Sequence, residues 1–134
     1  MKFLTMVKSA ENAGPPPAEL MTAMGRLIED AAKAGVLVET GGLLPSAMGA
    51  RVRLSGGKVT VMDGPFTEAK EVIGGYAIFN VKSKQEAIEW VKRFIELHKE
   101  HWKGWEGESE IRQLMEYRPP AWWLKPGHIE HDLH

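Results

Sequence analysis

The chain contains no cysteine. That excludes a disulfide framework, a thiol nucleophile and any cysteine-ligated metal centre, and it accords with a reducing cytoplasm. It also lacks an excess of either charge: 17 Lys and Arg stand against 18 Asp and Glu, a formal net charge of -1 with His neutral. Neither nucleic acid nor an anionic membrane is therefore an expected partner, and no basic stripe or recognition-helix pattern argues otherwise. No apolar run approaches the roughly 20 residues that cross a bilayer. The segment Met1-Lys2-Phe3-Leu4-Thr5-Met6-Val7-Lys8 is too short and too soon charged to read as a signal peptide. A phosphate-binding loop is missing as well, because Gly56-Gly57-Lys58 falls between two strands rather than between a strand and a helix. No Gly-x-Ser-x-Gly elbow occurs. What remains is a chain of 134 residues, 43% hydrophobic and 26% charged, which predicts one soluble domain with its own core.

Residues 2–8 read as a central strand, with Phe3, Thr5 and Val7 on one face and Leu4 and Met6 on the other. Pro15-Pro16-Pro17 leads into a helix over about 17–34, whose face is Leu20, Met24, Leu27, Ile28 and Ala31 and whose cap is Gly35. Val36–Leu44 reads as a strand broken by Gly41-Gly42. Arg51–Leu54 and Val59–Met62 form a hairpin about Ser55-Gly56-Gly57-Lys58. Residues 74–81 make a further strand. A second helix over about 84–101 starts at a Ser83/Glu86 capping box and buries Ala87, Ile88, Val91, Phe94 and Ile95. Residues 109–116 alternate as the last strand. The order β-α-β-(hairpin)-β-α-β predicts an α+β fold, a ferredoxin-like β-α-β-β-α-β sandwich with an extra hairpin. Helices would cover one face of its sheet. An open apolar sheet face is usually covered by a partner, so the expectation is a homodimer that packs two sheets into a dimeric α/β barrel.

The longest informative stretch is Asp63-Gly64-Pro65-Phe66-Thr67-Glu68-Ala69-Lys70-Glu71. Together with Gly41-Gly42-Leu43-Leu44-Pro45, the Arg51–Lys58 hairpin, Gly74-Gly75-Tyr76 and Glu110-Ile111-Arg112, it resembles the YCII-related family, in its DGPF-domain branch, over roughly residues 2–116. The resemblance implies a dimeric α/β barrel, small bacterial cytoplasmic proteins, and no settled activity for the branch. Some of its proteins are linked to transcription initiation through genomic association with sigma factors. In YCII-type proteins proper, a histidine on the first helix and an aspartate after the hairpin are proposed as a catalytic pair. Asp63 matches that aspartate, whereas residues 17–34 contain no histidine.

Asp63 is the first candidate. It is either a turn residue accepting backbone N–H groups or an acid/base or ligand acceptor at the rim of the open sheet face, provided a pocket shifts its pKa. Glu68, Lys70 and Glu71 read as a solvated charge cluster or, through Lys70 or Glu71, as partners of Asp63 or Arg53. Arg51 and Arg53 share a strand face and serve solubility or bind an anion. Pro65, Phe66, Gly75 and Tyr76 complete the candidate ligand-binding set.

His98 and His101, at i and i+3, are weaker catalytic candidates. They could share a metal, but His98 also continues the apolar stripe of the second helix. With no clear third ligand, neither a metal nor another cofactor is expected. His128, His131 and His134 read as adventitious metal binders in the tail. Residues 117–134 form a C-terminal extension beyond the domain of residues 1–116. Its Trp122 and Trp123 are expected to pack on the domain or on a partner subunit, and Trp90 lies off the main helical stripe.

Three functions fit these residues. One is a dimeric protein that binds a small molecule in a barrel cavity, with acid/base catalysis through Asp63. A second is a non-enzymatic interaction or regulatory module associated with transcription, its motif structural. The third, and weakest, is a metal-dependent protein.

Overall fold

The computed structural model describes residues 1–115. The strands and helices follow the order β1 (Lys2–Ser9), α1 (Ala18–Lys33), β2 (Leu37–Gly42), β3 (Ala50–Ser55), β4 (Lys58–Asp63), β5 (Val72–Asn80), α2 (Lys84–His101) and β6 (Gly107–Gln113). Four strands pair antiparallel in the order β2-β5-β1-β6, while β3 and β4 form a separate two-stranded ribbon. Setting the ribbon aside, this is the strand order of a split β-α-β sandwich. A single chain leaves its sheet open; it is not a closed barrel.

Local chemistry fixes the element ends. Ala34 closes α1, Gly35 follows at φ 73°, and the amides of Gly35 and Val36 donate to the carbonyls of Ala32 and Ala31, the bond pair of a Schellman cap. The Ser83 hydroxyl accepts from the Glu86 amide at 3.2 Å, and the Glu86 carboxylate reaches back to the Lys82 amide at 3.0 Å. The return bond of the box thus lands one residue before the cap. The ribbon turns through Gly56 and Gly57, at φ 57° and 77°, the positive pair that a tight two-residue hairpin needs.

The sheet is buried on one side. Phe3 and Phe79 face each other across β1 and β5, and Ala31 of α1 with Ala87 and Val91 of α2 closes over them. Alanine at two of these helix positions allows close approach, and the two phenylalanines fill the space. Thr5 is buried beside them and donates its hydroxyl to the Ala77 carbonyl at 3.0 Å, so no unsatisfied polar group results. Trp90 belongs to this packing: its ring stacks on Phe79 with centroids 6.3 Å apart, and Arg93 lies over it. Ile28, by contrast, is 43% exposed; the face of α1 is narrower than its spacing suggests.

Two strand boundaries differ from the sequence expectation. Gly41 and Gly42 do not break β2. They pair with Tyr76 and Gly75, because the edge strand continues as long as β5 offers ladder partners. The last strand starts at Gly107, opposite Ser9, and ends at Gln113, opposite Phe3. Its length is set by β1. The C-terminal extension expected over 117–134 lies outside the described residues.

The Ser83 cap gives a direct check. Ser83→Ala should lower unfolding free energy by about 1 kcal/mol in urea titration, with the helical far-ultraviolet signal of the folded state retained.

Candidate functional site

The segment from Asp63 to Glu71 joins the ribbon to β5, and contacts from three other segments stitch it down. Gly64 lies so close to the Ser46 backbone that a Cβ placed on it would fall 1.7 Å from the Ser46 carbonyl oxygen. Only glycine fits there. The Gly64 amide donates to the Gly49 carbonyl at 2.9 Å. The Phe66 amide donates to the Ser46 hydroxyl at 3.1 Å, and that hydroxyl and the Ser46 amide both donate to the Glu11 carboxylate at 2.6 Å. Glu11, Ser46 and Phe66 thus form one chain of hydrogen bonds. The Ser46 hydroxyl, followed by its amide, holds the Glu11 carboxyl below the usual glutamate range.

Arg51 sits at the next stitch. Its guanidinium pairs with the Glu68 carboxylate and lies 3.9 Å above the Phe66 ring. The Glu68 carboxyl is lowered first by the backbone amide of Glu68 itself, then by Arg51, with Arg53 adding its charge from farther away. Arg51 and Arg53 therefore act together on Glu68.

Asp63 closes β4 opposite Ala50 and is exposed, with no side-chain hydrogen bond to any described residue. Pairing Ala50 with Asp63, Val52 with Val61 and Leu54 with Val59 puts these six side chains on one ribbon face. Asp63 is the polar end of an otherwise aliphatic surface. Val52, Leu54, Val59 and Val61 are each 69–72% exposed.

The other candidates are dispersed. On the open sheet face, Tyr76 stands opposite Met6 and Gly41, its ring against Gly41. Its hydroxyl donates to the Glu39 carboxylate, which raises the phenol pKa. Gly75 is buried, Phe66 is half-buried, and Pro65 and Lys70 are exposed. Lys8 pairs with Glu110 at 2.5 Å on this same face; that bond, with the charges of Glu110, Glu108 and Glu71, raises the lysine pKa, and the same bond together with Arg112 lowers the carboxyl of Glu110. Glu71 belongs to a groove at the end of the sheet, which Asp63 and Tyr76 do not line.

The helix-end histidines diverge. His98 is 5% exposed, bonded through Nδ1 to the Phe94 carbonyl oxygen at 2.9 Å and packed 4.4 Å from the Trp105 ring. Burial lowers its pKa, which favours the neutral ring. His101 instead lines a crevice between the helices with Arg26, Asp30 and Arg93. No group of three or more His, Asp or Glu placed to hold a metal ion occurs among the described residues. The tail histidines lie outside those residues. Sequence reasoning missed Glu11 and Ser46, which lie 35 residues apart and carry no motif. It also missed the cluster of His98, Trp102 and Trp105, whose only signal was the density of aromatic residues after Phe94.

Two measurements test the stitched loop. Gly64→Ala must push a methyl into the Ser46 carbonyl, and should cost about 1–3 kcal/mol by chemical denaturation. Folding depresses the carboxyls of Glu11, Glu68 and Glu110. Their stabilisation is therefore complete above the ordinary value of 4.5 and lost as pH falls through the lower folded values. The thermal midpoint should decline in that acid range, and less steeply in Glu11→Gln.

Comparison with known proteins gives the same grouping. An uncharacterized protein of Rhizobium meliloti (strain 1021) is 32% identical over 87 residues, a match covering 65% of this chain and 66% of the relative. The family model of the YCII-related domain matches residues 1–102. The chain belongs to the family of YCII-related domain proteins.

Proposed function

We propose that the protein works as a homodimer that binds a small molecule between the open sheet faces of its two copies, with Asp63 as acid/base or ligand acceptor at the rim. The observation that carries this reading is the aliphatic ribbon face that ends in Asp63. Val52, Leu54, Val59 and Val61 are all about 70% exposed, and an isolated two-stranded ribbon is marginal in water. Burying those four side chains against another copy stabilises the ribbon. It also encloses Asp63, because the carboxylate shares their face.

The open face of the four-stranded sheet supports the same assembly. Leu4, Met6, Tyr76 and Ile78 lie at its centre, and the Lys8–Glu110 pair lies towards one end. An apolar centre with charged margins is the usual anatomy of a protein interface. In the dimer each ribbon closes over the neighbouring copy, and the cavity between the sheets is bordered by Tyr76 and Asp63.

A second reading draws on the stitched loop. Gly64, Phe66 and Glu68 each have a structural contact in their own chain, which suits a non-enzymatic interaction module whose motif only holds the loop. Asp63→Asn separates the two. Loss of ligand binding with the thermal midpoint unchanged supports the site; a lowered midpoint as the sole effect supports the structural role.

Sedimentation equilibrium tests the assembly. The native chain should sediment at twice its chain mass. Leu54→Lys with Val61→Lys, both at exposed ribbon positions, should give a folded monomer with unchanged far-ultraviolet circular dichroism. A native monomer at micromolar concentration overturns the proposal.

A further inference from the structure

The strongest feature outside the loop is a groove of about 640 Å³ where the end of α2 meets the start of β6. Its aromatic wall is Trp102 and Trp105, with ring centroids 6.2 Å apart and planes inclined by 30°. Trp105 is held from two sides. His98 packs against it from within the core at 4.4 Å. On the strand side, a Cβ on Gly107 would come within 2.5 Å of the indole ring, so the absent side chain is the space that the ring occupies. Both tryptophans are half-buried, so each keeps some surface towards the groove.

Charge around this wall is of one dominant sign. Glu71, Glu106 and Glu108 line the groove, against a single lysine, Lys99. Lys8 lies near Glu71 and Glu108, but its hydrogen bond is to Glu110. None of the three lining carboxylates is in an ion pair among the described residues. An anion entering the groove meets three like charges. A neutral ligand gains the aromatic surface alone. A small organic cation gains both the negative faces of the indoles and the field of the carboxylates.

We propose that this groove is a binding site for organic ammonium ions, with Trp102 and Trp105 as the aromatic wall and Glu71, Glu106 and Glu108 as the counter-charge. The ligand class is an alkylated amine or quaternary ammonium group small enough to lie against one indole face. Binding needs no covalent step. The site does not depend on dimer formation or on any role of Asp63.

The test uses the full chain, with choline chloride as the cation and 3,3-dimethylbutan-1-ol as its neutral counterpart of equal shape. Indole N–H resonances are followed by two-dimensional nuclear magnetic resonance, and Trp102→Phe and Trp105→Phe provide the assignments. Choline should shift both resonances saturably, while the alcohol at equal concentration should not. Glu106→Gln combined with Glu108→Gln should weaken choline binding by about two- to tenfold. Lys99→Gln, which removes the lysine that lines the groove, should tighten it by about twofold. That gain cannot come from misfolding. Equal responses to choline and the alcohol, a shift that never saturates, or preferential binding of inorganic phosphate would each overturn the site. So would a Lys99→Gln variant that binds choline no more tightly than the native chain.

Discussion

Phe3 and Phe79 meet across the two central strands under Ala31, Ala87 and Val91, and the four-stranded sheet and both helices are arranged around that contact. Because β1 and β5 are central, the pair fixes the register of the sheet. Because Ala31 and Ala87 above it are small, both helices approach that side of the sheet closely. A sheet covered on one side in this way leaves alternate residues of every strand uncovered. The open face of Leu4, Met6, Tyr76 and Ile78 is thus a direct consequence of where the core lies. The ribbon, too, is placed by default. It leaves from the β2 edge, has no helix of its own, and holds its aliphatic face away from the core.

The Asp-Gly-Pro-Phe loop depends on a second constraint, the approach of Gly64 to the Ser46 backbone. Two remote segments converge there. The 3-10 turn at Glu11–Ala13 follows β1, and the one at Ser46–Met48 precedes β3. Their meeting lets one glutamate, one serine and one phenylalanine amide satisfy each other. The motif is therefore a clamp in its glycine, phenylalanine and glutamate positions. Asp63, the first residue of the motif, takes no part in the clamp among the described residues; its side chain is exposed at the end of β4.

At the far end of the sheet the same economy of space applies to aromatic rings. Gly107 supplies the room for Trp105, and His98 fills the layer beneath it. A histidine in this position serves as a flat, neutral packing group. Its Nδ1 is committed to the Phe94 carbonyl oxygen and desolvation disfavours the cation. The histidine that sequence spacing offered as a metal ligand is thus part of an aromatic stack, while His101 points its chemistry to a different crevice. Two histidines at i and i+3 share a side of a helix only loosely, and here the Trp102 and Trp105 rings take one and α1 the other.

The elements, their order and the family are legible in the amino-acid pattern. Period-two and helical patterns located all six strands and both helices, Ser83 and Gly35 marked two helix ends, and the Asp63–Glu71 stretch carried the grouping. These signals are local, since propensity, capping and turn chemistry act within a few residues. Strand limits at Gly42 and Gly107 were decided by the neighbours that offered ladder partners, and Ile28 was left exposed by the reach of the sheet. The partners of the loop, Glu11 and Ser46, were fixed only when the chain folded, as was the separation of Asp63 from Glu71 and of His98 from His101. Such juxtapositions depend on distances between segments far apart in sequence, and no local pattern encodes them.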